Sequence, residues 1–257
     1  MKTDKFQELL DIMDRLRKEC PWDKKQTFDT LRILTIEETY ELSDAIIDTN
    51  YSEICKELGD ILLHIVFYAQ MGSELEGDDK FDIDDVIRKL NEKLIRRHPH
   101  IYGDTNAESP DDVKQNWEKI KLSNEGRKSV LEGVPKSLPA MIKAYRIQDK
   151  AHGVGFDWDD KNQVWDKVME ELDELKTEVD NDNRENMEME FGDVLFALIN
   201  YARFIGVNPD DALEKSNRKF ISRFKKMEDV IKQNNLNISE LSLKELDDFW
   251  NMVKKEE

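Results

Sequence analysis

The stretch Glu37-Glu38-Thr39-Tyr40-Glu41, followed by Glu57-Leu58-Gly59-Asp60, returns later in the chain as Glu170-Glu171-Leu172-Asp173-Glu174, followed by Glu190-Phe191-Gly192-Asp193. In both copies the third glutamate precedes the fourth by 16 residues, the second precedes the closing aspartate by 22, and the copies lie 133 residues apart. A solvated charged helix face drifts freely in register, so a fixed spacing needs a geometric reason. Residues three apart share a helix face. Glu38 with Glu41, and Glu57 with Asp60, therefore each form a paired-carboxylate edge, and two such helices side by side converge four carboxylates. Glu171, Glu174, Glu190 and Asp193 repeat the arrangement.

Packed like charges are costly unless something neutralises them. Beside a nearly all-apolar helix the natural neutraliser is a metal ion. All-oxygen ligation suits a hard cation, Mg²⁺ with Mn²⁺ as a substitute. A single ExxE is usually a solvated face, but its doubling at fixed spacing argues for a cage. A di-iron bundle needs ExxH on two helices, and here position i+3 is Asp60 or Asp193.

The 257 residues are 39% hydrophobic and 37% charged, with only 10 Gly and 6 Pro. Few breakers and many Glu, Lys and Leu predict an all-α protein. No apolar run reaches the roughly 18 residues of a membrane span, and the opening MKTDKFQELLDIMDRL lacks the apolar core of a signal peptide. The two cysteines, Cys20 and Cys55, form no metal spacing. A cytoplasmic protein without membrane contact is expected. The net charge of −18 repels nucleic-acid polymers, and a phosphate-bearing substrate would need divalent cations at such a surface.

Outward from the acidic motifs, helical periodicity predicts a first amphipathic helix through Phe6, Leu9, Leu10, Met13 and Leu16, ended by Cys20-Pro21-Trp22-Asp23. Helices follow over residues 31–48, 52–71, 83–97 and 111–122. The apolar run of residues 61–69 predicts a helix buried on all sides, and Pro99 ends the fourth helix. Residues 123–139 hold Gly126, Gly133, Pro135 and Pro139, which places a linker at 123–137 between domains 1–122 and 138–257. Helices over residues 138–150, 163–180, 185–204, 210–233 and 243–255 then repeat the order, with residues 194–199 again apolar.

The repeat extends to cations. Asn91-x-Lys93-x-x-x-Arg97 matches Asn217-x-Lys219-x-x-x-Arg223, and Trp117-x-x-Ile120-Lys121 matches Trp250-x-x-Val253-Lys254. Three matches in one order point to tandem duplication into two small helical bundles. Lys219 and Arg223 share a helix face, and cationic donors facing a metal cage are what a polyphosphate requires. Trp250 with Lys254 either stacks a base beside a phosphate contact or packs on its bundle. Lys93, Arg97, Trp117 and Lys121 are the first-half counterparts. Arg96 and Arg97, next to His98 and His100, either bind phosphate or complement a helix C-terminus. His64 reads as a core histidine. His152 has no Cys or Ser partner, and no dinucleotide or Walker A signature is present.

The landmarks Cys20-Pro21-Trp22-Asp23, Glu37-Glu38-Thr39-Tyr40-Glu41, Glu57-Leu58-Gly59-Asp60, Arg97-His98-Pro99-His100, Val154-Gly155-Phe156-Asp157-Trp158 and Phe191-Gly192-Asp193 together resemble the two-domain MazG family over the whole chain. The resemblance implies the all-α NTP pyrophosphatase fold, two tandem MazG domains and a homodimer. It implies Mg²⁺-dependent hydrolysis of (d)NTPs to monophosphate and pyrophosphate, in nucleotide-pool housecleaning. It assigns Glu171, Glu174, Glu190 and Asp193 as metal ligands of a mainly catalytic second domain, with Glu38, Glu41, Glu57 and Asp60 as a second site. It matches Lys219, Arg223, Trp250 and Lys254 to nucleotide contacts. Glu170, or one of the cage carboxylates, is the candidate to orient or deprotonate the attacking water. The competing reading is a non-catalytic Mg²⁺–nucleotide binding or regulatory module.

Overall fold

The computed structural model describes residues 2–103 and 128–255, with residues 106, 109, 112, 113, 116, 117 and 120 between them. Lys121 lies outside the described residues, as does most of the helix expected over residues 111–122. Among the described residues every regular element is helical and none is a strand. The chain divides into two compact units, Met1–Glu108 and Ser109–Glu257.

The first unit holds α1 (Lys2–Glu19), α2 (Phe28–Ile47), α3 (Tyr51–Ser73), α4 (Ile83–Arg97) and a short α5 (Pro99–Tyr102). The second holds α6 (Ala140–His152), α7 (Lys161–Asp180), α8 (Arg184–Phe204), α9 (Pro209–Gln233) and α10 (Leu243–Lys255). The closest helix pairings are α7 with α8 and α2 with α3, the two hairpins that carry the acidic motifs. Pro99 does end α4, but its fixed φ then starts α5 as the first helical residue, a short element that periodicity does not reveal.

Both hairpins turn in the same way. Thr49 and Asp182, equivalent by the 133-residue offset, adopt left-handed φ of 55° and 54°. Asn50 N–H then donates to Ala45 O at 2.9 Å, and Asn183 N–H to Glu178 O at 3.2 Å. The Oδ1 of each asparagine caps the next helix, accepting from the backbone N–H of Glu53 or Asn186. A tight turn of fixed geometry leaves the second helix no freedom to slide. It therefore sets the register of Glu57 against Glu38 and Glu41, and of Glu190 against Glu171 and Glu174.

In the first unit Met13 of α1, Leu31 of α2 and Val66, Phe67 and Met71 of α3 form one buried cluster. In the second, Val164 and Val168 of α7 and Val194, Ala197 and Ile199 of α8 are buried, and Met227, Ile231 and Val253 join α9 to α10. His64 is a core histidine at 6% exposure, and burial lowers its pKa. The apolar runs are not buried on all sides as expected. Each unit covers one side of its central helix and leaves a stripe uncovered at i, i+4 and i+7. In α3 the stripe is Leu58, Leu62 and Ile65, and in α8 it is Phe191, Leu195 and Leu198.

Gly72, late in α3, has no room for a side chain. A Cβ there would meet the Phe81 ring and carbonyl oxygen at 2.6 and 2.7 Å. Gly72→Ala is expected to cost about 1–3 kcal/mol through overpacking, read as a lower denaturant midpoint. An unchanged midpoint would contradict this packing.

Candidate active site

Each hairpin gathers three carboxylates. Glu38, Glu41 and Glu57 place one oxygen each within 4.8 Å of one another, and so do Glu171, Glu174 and Glu190. Two come from the first helix of the hairpin and one from the second. Opposite ligands of an octahedral Mg²⁺ are about 4.2 Å apart, so each trio matches the size of a hard-cation site. Asp60 and Asp193 are not in these trios but lie near enough for their charge to be felt. Burial, then Asp60, Glu41 and Glu57, hold the Glu38 carboxyl above the usual carboxylate range. Burial, then Glu174, Asp193 and Glu171, do the same to Glu190. Glu57 is buried, and its Oε2 has no hydrogen-bond partner. A buried unpaired carboxylate oxygen is costly, which fits a cation at this position.

The two cages differ in how the protein partly neutralises them. In the second, Lys167 of α7 donates to Glu170 at 2.8 Å and reaches Glu171 at 2.7 Å, and these bonds push the lysine pKa up. In the first, Lys56 of α3 contacts Glu57 at 2.9 Å. By the repeat offset, Leu34 stands where Lys167 would be, and Met189 where Lys56 would be. Sequence reading passed over Lys167, although its spacing of three and four residues before Glu170 and Glu171 was a usable signal.

Beside the second cage lies a cavity of about 640 Å³ whose wall includes Glu171, Asp193 and Lys167. Its other sides come from α6, α8, the loop after α6, and Val130 and Leu131 ahead of α6. Gly155, at φ 84°, turns the chain so that Phe156 N–H donates back to Ala151 O at 3.0 Å. Asp157 anchors the loop. It accepts two hydrogen bonds from Arg203 Nη2, at 2.6 and 2.8 Å, and contacts His152 Nδ1 at 2.7 Å. Both partners of the Arg203–Asp157 pair are nearly buried, at 10% and 13% side-chain exposure. Asp157 stands in the landmark Val154-Gly155-Phe156-Asp157-Trp158, but its role is not legible there, because Arg203 lies 46 residues away.

The cationic candidates sit elsewhere. Lys219 and Arg223 are on α9, Trp250 and Lys254 on α10, and none of the four lines the cavity. Lys219 and Lys254 are exposed, and Arg223 is half-buried. Trp250 is half-buried against Phe220, with ring centroids 5.1 Å apart. In the first unit Lys93 and Arg97 are half-buried on α4, and Trp117, which falls in the second unit, is half-buried too.

The profile of the MazG nucleotide pyrophosphohydrolase domain matches residues 26–102 and 160–228, one copy over each acidic hairpin. The chain belongs to the MazG family. It is 47% identical over 253 residues to the nucleoside triphosphate pyrophosphohydrolase/pyrophosphatase MazG of Thermotoga maritima, covering 97% of this chain and 95% of that protein. It is 40% identical over 262 residues to the nucleoside triphosphate pyrophosphohydrolase of Escherichia coli K12, covering 99% and 98%. An uncharacterized Bacillus subtilis protein, YabN, is 43% identical over 93% of this chain and 49% of its own length. The two matches bear out the tandem all-α architecture of this chain.

Removing Arg203 takes away the guanidinium on the nearly buried Asp157 and leaves it His152 and the Trp158 N–H as partners. Arg203→Met is expected to cost about 3 kcal/mol at pH 7, measured by urea unfolding. Burial opposes the Asp157 charge, but the hydrogen bonds from Arg203 and Trp158 outweigh it and leave its pKa lowered. A lowered folded pKa gives stability that is present above the unfolded value of about 3.9 and lost as pH falls through the folded value. The gap between wild type and variant should therefore shrink below about pH 4. A gap that holds constant to pH 2.5 would contradict the pairing.

Proposed function

We propose that this chain is a nucleoside triphosphate pyrophosphohydrolase that cleaves (d)NTPs between the α- and β-phosphates, releasing (d)NMP and pyrophosphate. One observation carries the reading: a three-carboxylate cage shares its wall with a cavity of nucleotide size in the second unit. The names of the full-length relatives support the same chemistry. Clearing unwanted nucleotides from the cellular pool is the role we assign to it. The two free cysteines, Cys20 and Cys55, are in keeping with a cytoplasmic setting.

The donor set is carboxylate oxygen alone, which fits Mg²⁺ or Mn²⁺. Glu171, Glu174 and Glu190, completed by Asp193, would hold the ion, and Glu38, Glu41, Glu57 and Asp60 a second one. Bound there, a divalent cation supplies Lewis acidity and neutralises triphosphate charge. Lys167 keeps Glu170 and Glu171 oriented before substrate arrives. Glu170 then directs or deprotonates the water that attacks the α-phosphorus, and pyrophosphate departs. Lys219, Arg223, Trp250 and Lys254 contribute nucleotide contacts from α9 and α10, with Lys93, Arg97, Trp117 and Lys121 as counterparts in the first half. Domain 138–257 is assigned most of the turnover, behind a linker at 123–137.

We also propose a homodimer. The uncovered stripes Leu58–Leu62–Ile65 and Phe191–Leu195–Leu198 are apolar and equivalent in the two halves, and apolar stripes of this kind are buried by association. Gly59 and Gly192 lie beside them with open space where a Cβ would stand. A mid-helix glycine costs about 1 kcal/mol against alanine, and close approach of a second copy explains its use. Leu195→Asp combined with Leu62→Asp is expected to halve the mass seen by light scattering. A dimer that survives both substitutions would contradict this interface.

Glu174→Ala and Asp193→Ala, each with Glu41→Ala to silence the first cage, are expected to lower pyrophosphate release at least about 100-fold with an unchanged circular dichroism spectrum. Full activity in either double variant would overturn the site assignment. Tight nucleotide binding by wild type with no release of pyrophosphate would instead establish a binding or regulatory module.

A further inference from the structure

We propose that residues 128–138 form a strap along the cavity beside the second cage, and that Lys150 is a positioning residue for the hydrolysis, latching that strap in place. The inference rests on the triphosphate reading above and adds what holds one wall of the site. The strap runs back along α6. Near the start of α6, Lys143 Nζ donates to Lys136 O at 2.6 Å. About two turns further on, Lys150 Nζ donates to Val130 O at 3.0 Å. The strap and the helix are thus antiparallel and joined at both ends. The helix itself is tied to α8, because the buried Gln148 donates from Nε2 to Phe196 O at 2.8 Å. Seated in this way, Val130 and Leu131 line the cavity together with Glu171 and Asp193.

The strap has local structure of its own. Ser129 accepts from the Leu131 N–H at Oγ, 3.2 Å away, and from the Glu132 N–H at its carbonyl oxygen, 3.1 Å away. Glu132 Oε2 accepts from the Lys128 N–H at 2.7 Å, and Gly133 turns the chain at φ 84°. Its hold on the fold is shallow. Val130, Val134 and Leu138 are half-buried, and the other residues from 128 to 138 are exposed. A segment with so few buried apolar contacts opens at a lower free energy than the helices beneath it. Lys150, by contrast, is 3% exposed. Burying an ammonium is costly, and a methionine would fill the same place in α6 without that cost. What the lysine adds is a charged donor that reaches a strap carbonyl, and a charge-assisted hydrogen bond is stronger than a neutral one. Such a bond breaks and re-forms while α6 stays packed. With it made, Val130 and Leu131 stand at the cavity. With it broken, that wall withdraws and the hold on substrate weakens, as happens when a closing loop opens.

The test uses the full chain with Mg²⁺. Amide hydrogen exchange is read residue by residue, alone and with the α,β-methylene analogues of ATP, GTP, CTP and dTTP in turn, which bind without turnover. At least one analogue is expected to slow exchange along the whole strap, including residues 136–138, which do not line the cavity. Lys150→Met is expected to raise KM about tenfold with kcat within about twofold, and to speed exchange in the strap while α7 and α8 stay as in wild type. Strap exchange unmoved by all four analogues, protection confined to Val130 and Leu131, or a variant that loses kcat at unchanged KM would each overturn the proposal. So would equally faster exchange in α7 and α8, the mark of a general loss of stability. If the variant does not fold, the wild-type exchange alone decides. Protection of the whole strap by ATP, GTP, CTP or dTTP without pyrophosphate release would leave the strap in place and remove the hydrolase reading.

Discussion

Mutual repulsion among carboxylates is the constraint on which the rest of this structure depends. Glu171, Glu174 and Glu190 are held within 4.8 Å of one another, and no isolated helix hairpin would gather them there unaided. What holds them is the packing of α7 on α8 through Val164, Val168, Val194, Ala197 and Ile199, with the turn at Asp182 fixing the register. Apolar burial worth about 1.5–3 kcal/mol per large side chain offsets a repulsion that water and Lys167 only partly relieve. A cation held there, as proposed for this site, would relieve the repulsion that remains.

Duplication repeats that logic with one substantive change. The carboxylates, the turn and the uncovered apolar stripe all recur at the same offset, so the backbone of the hairpin is conserved between the halves. The neutralising lysine is not. It comes from the first helix in the second cage, through Lys167, and from the second helix in the first cage, through Lys56. Lys167 holds Glu170 as well as Glu171, whereas Lys56 contacts Glu57 and, more distantly, Glu53. The acid proposed to handle the attacking water is thus engaged in the second half. This local difference supports assigning most of the turnover to that half, although both sets of acids are complete.

Much of this was legible in the sequence because it is written in local spacing. The ExxE and ExxD pairs each lie within one helix turn of their partners, and the repeat fixes how the two helices face each other. Helix ends followed from Pro99 and from the long runs without breakers. Three features were not legible. The Arg203–Asp157 pair joins positions 46 residues apart, and no periodicity links them. Gln148 looks like an ordinary helix residue until its neighbours are known. The burial of residues 61–69 and 194–199 was overestimated because apolarity on all sides of a helix does not say which molecule covers each side. The same gap affects Trp250, whose half-burial against Phe220 periodicity alone could not distinguish from an open stacking surface.

The central claim is that this site attacks the α-phosphorus of a nucleoside triphosphate. Hydrolysis in ¹⁸O-labelled water, followed by mass spectrometry of both products, tests it most directly. The account predicts one ¹⁸O in the nucleoside monophosphate and none in the pyrophosphate. Label in the pyrophosphate, or release of labelled orthophosphate, would contradict it.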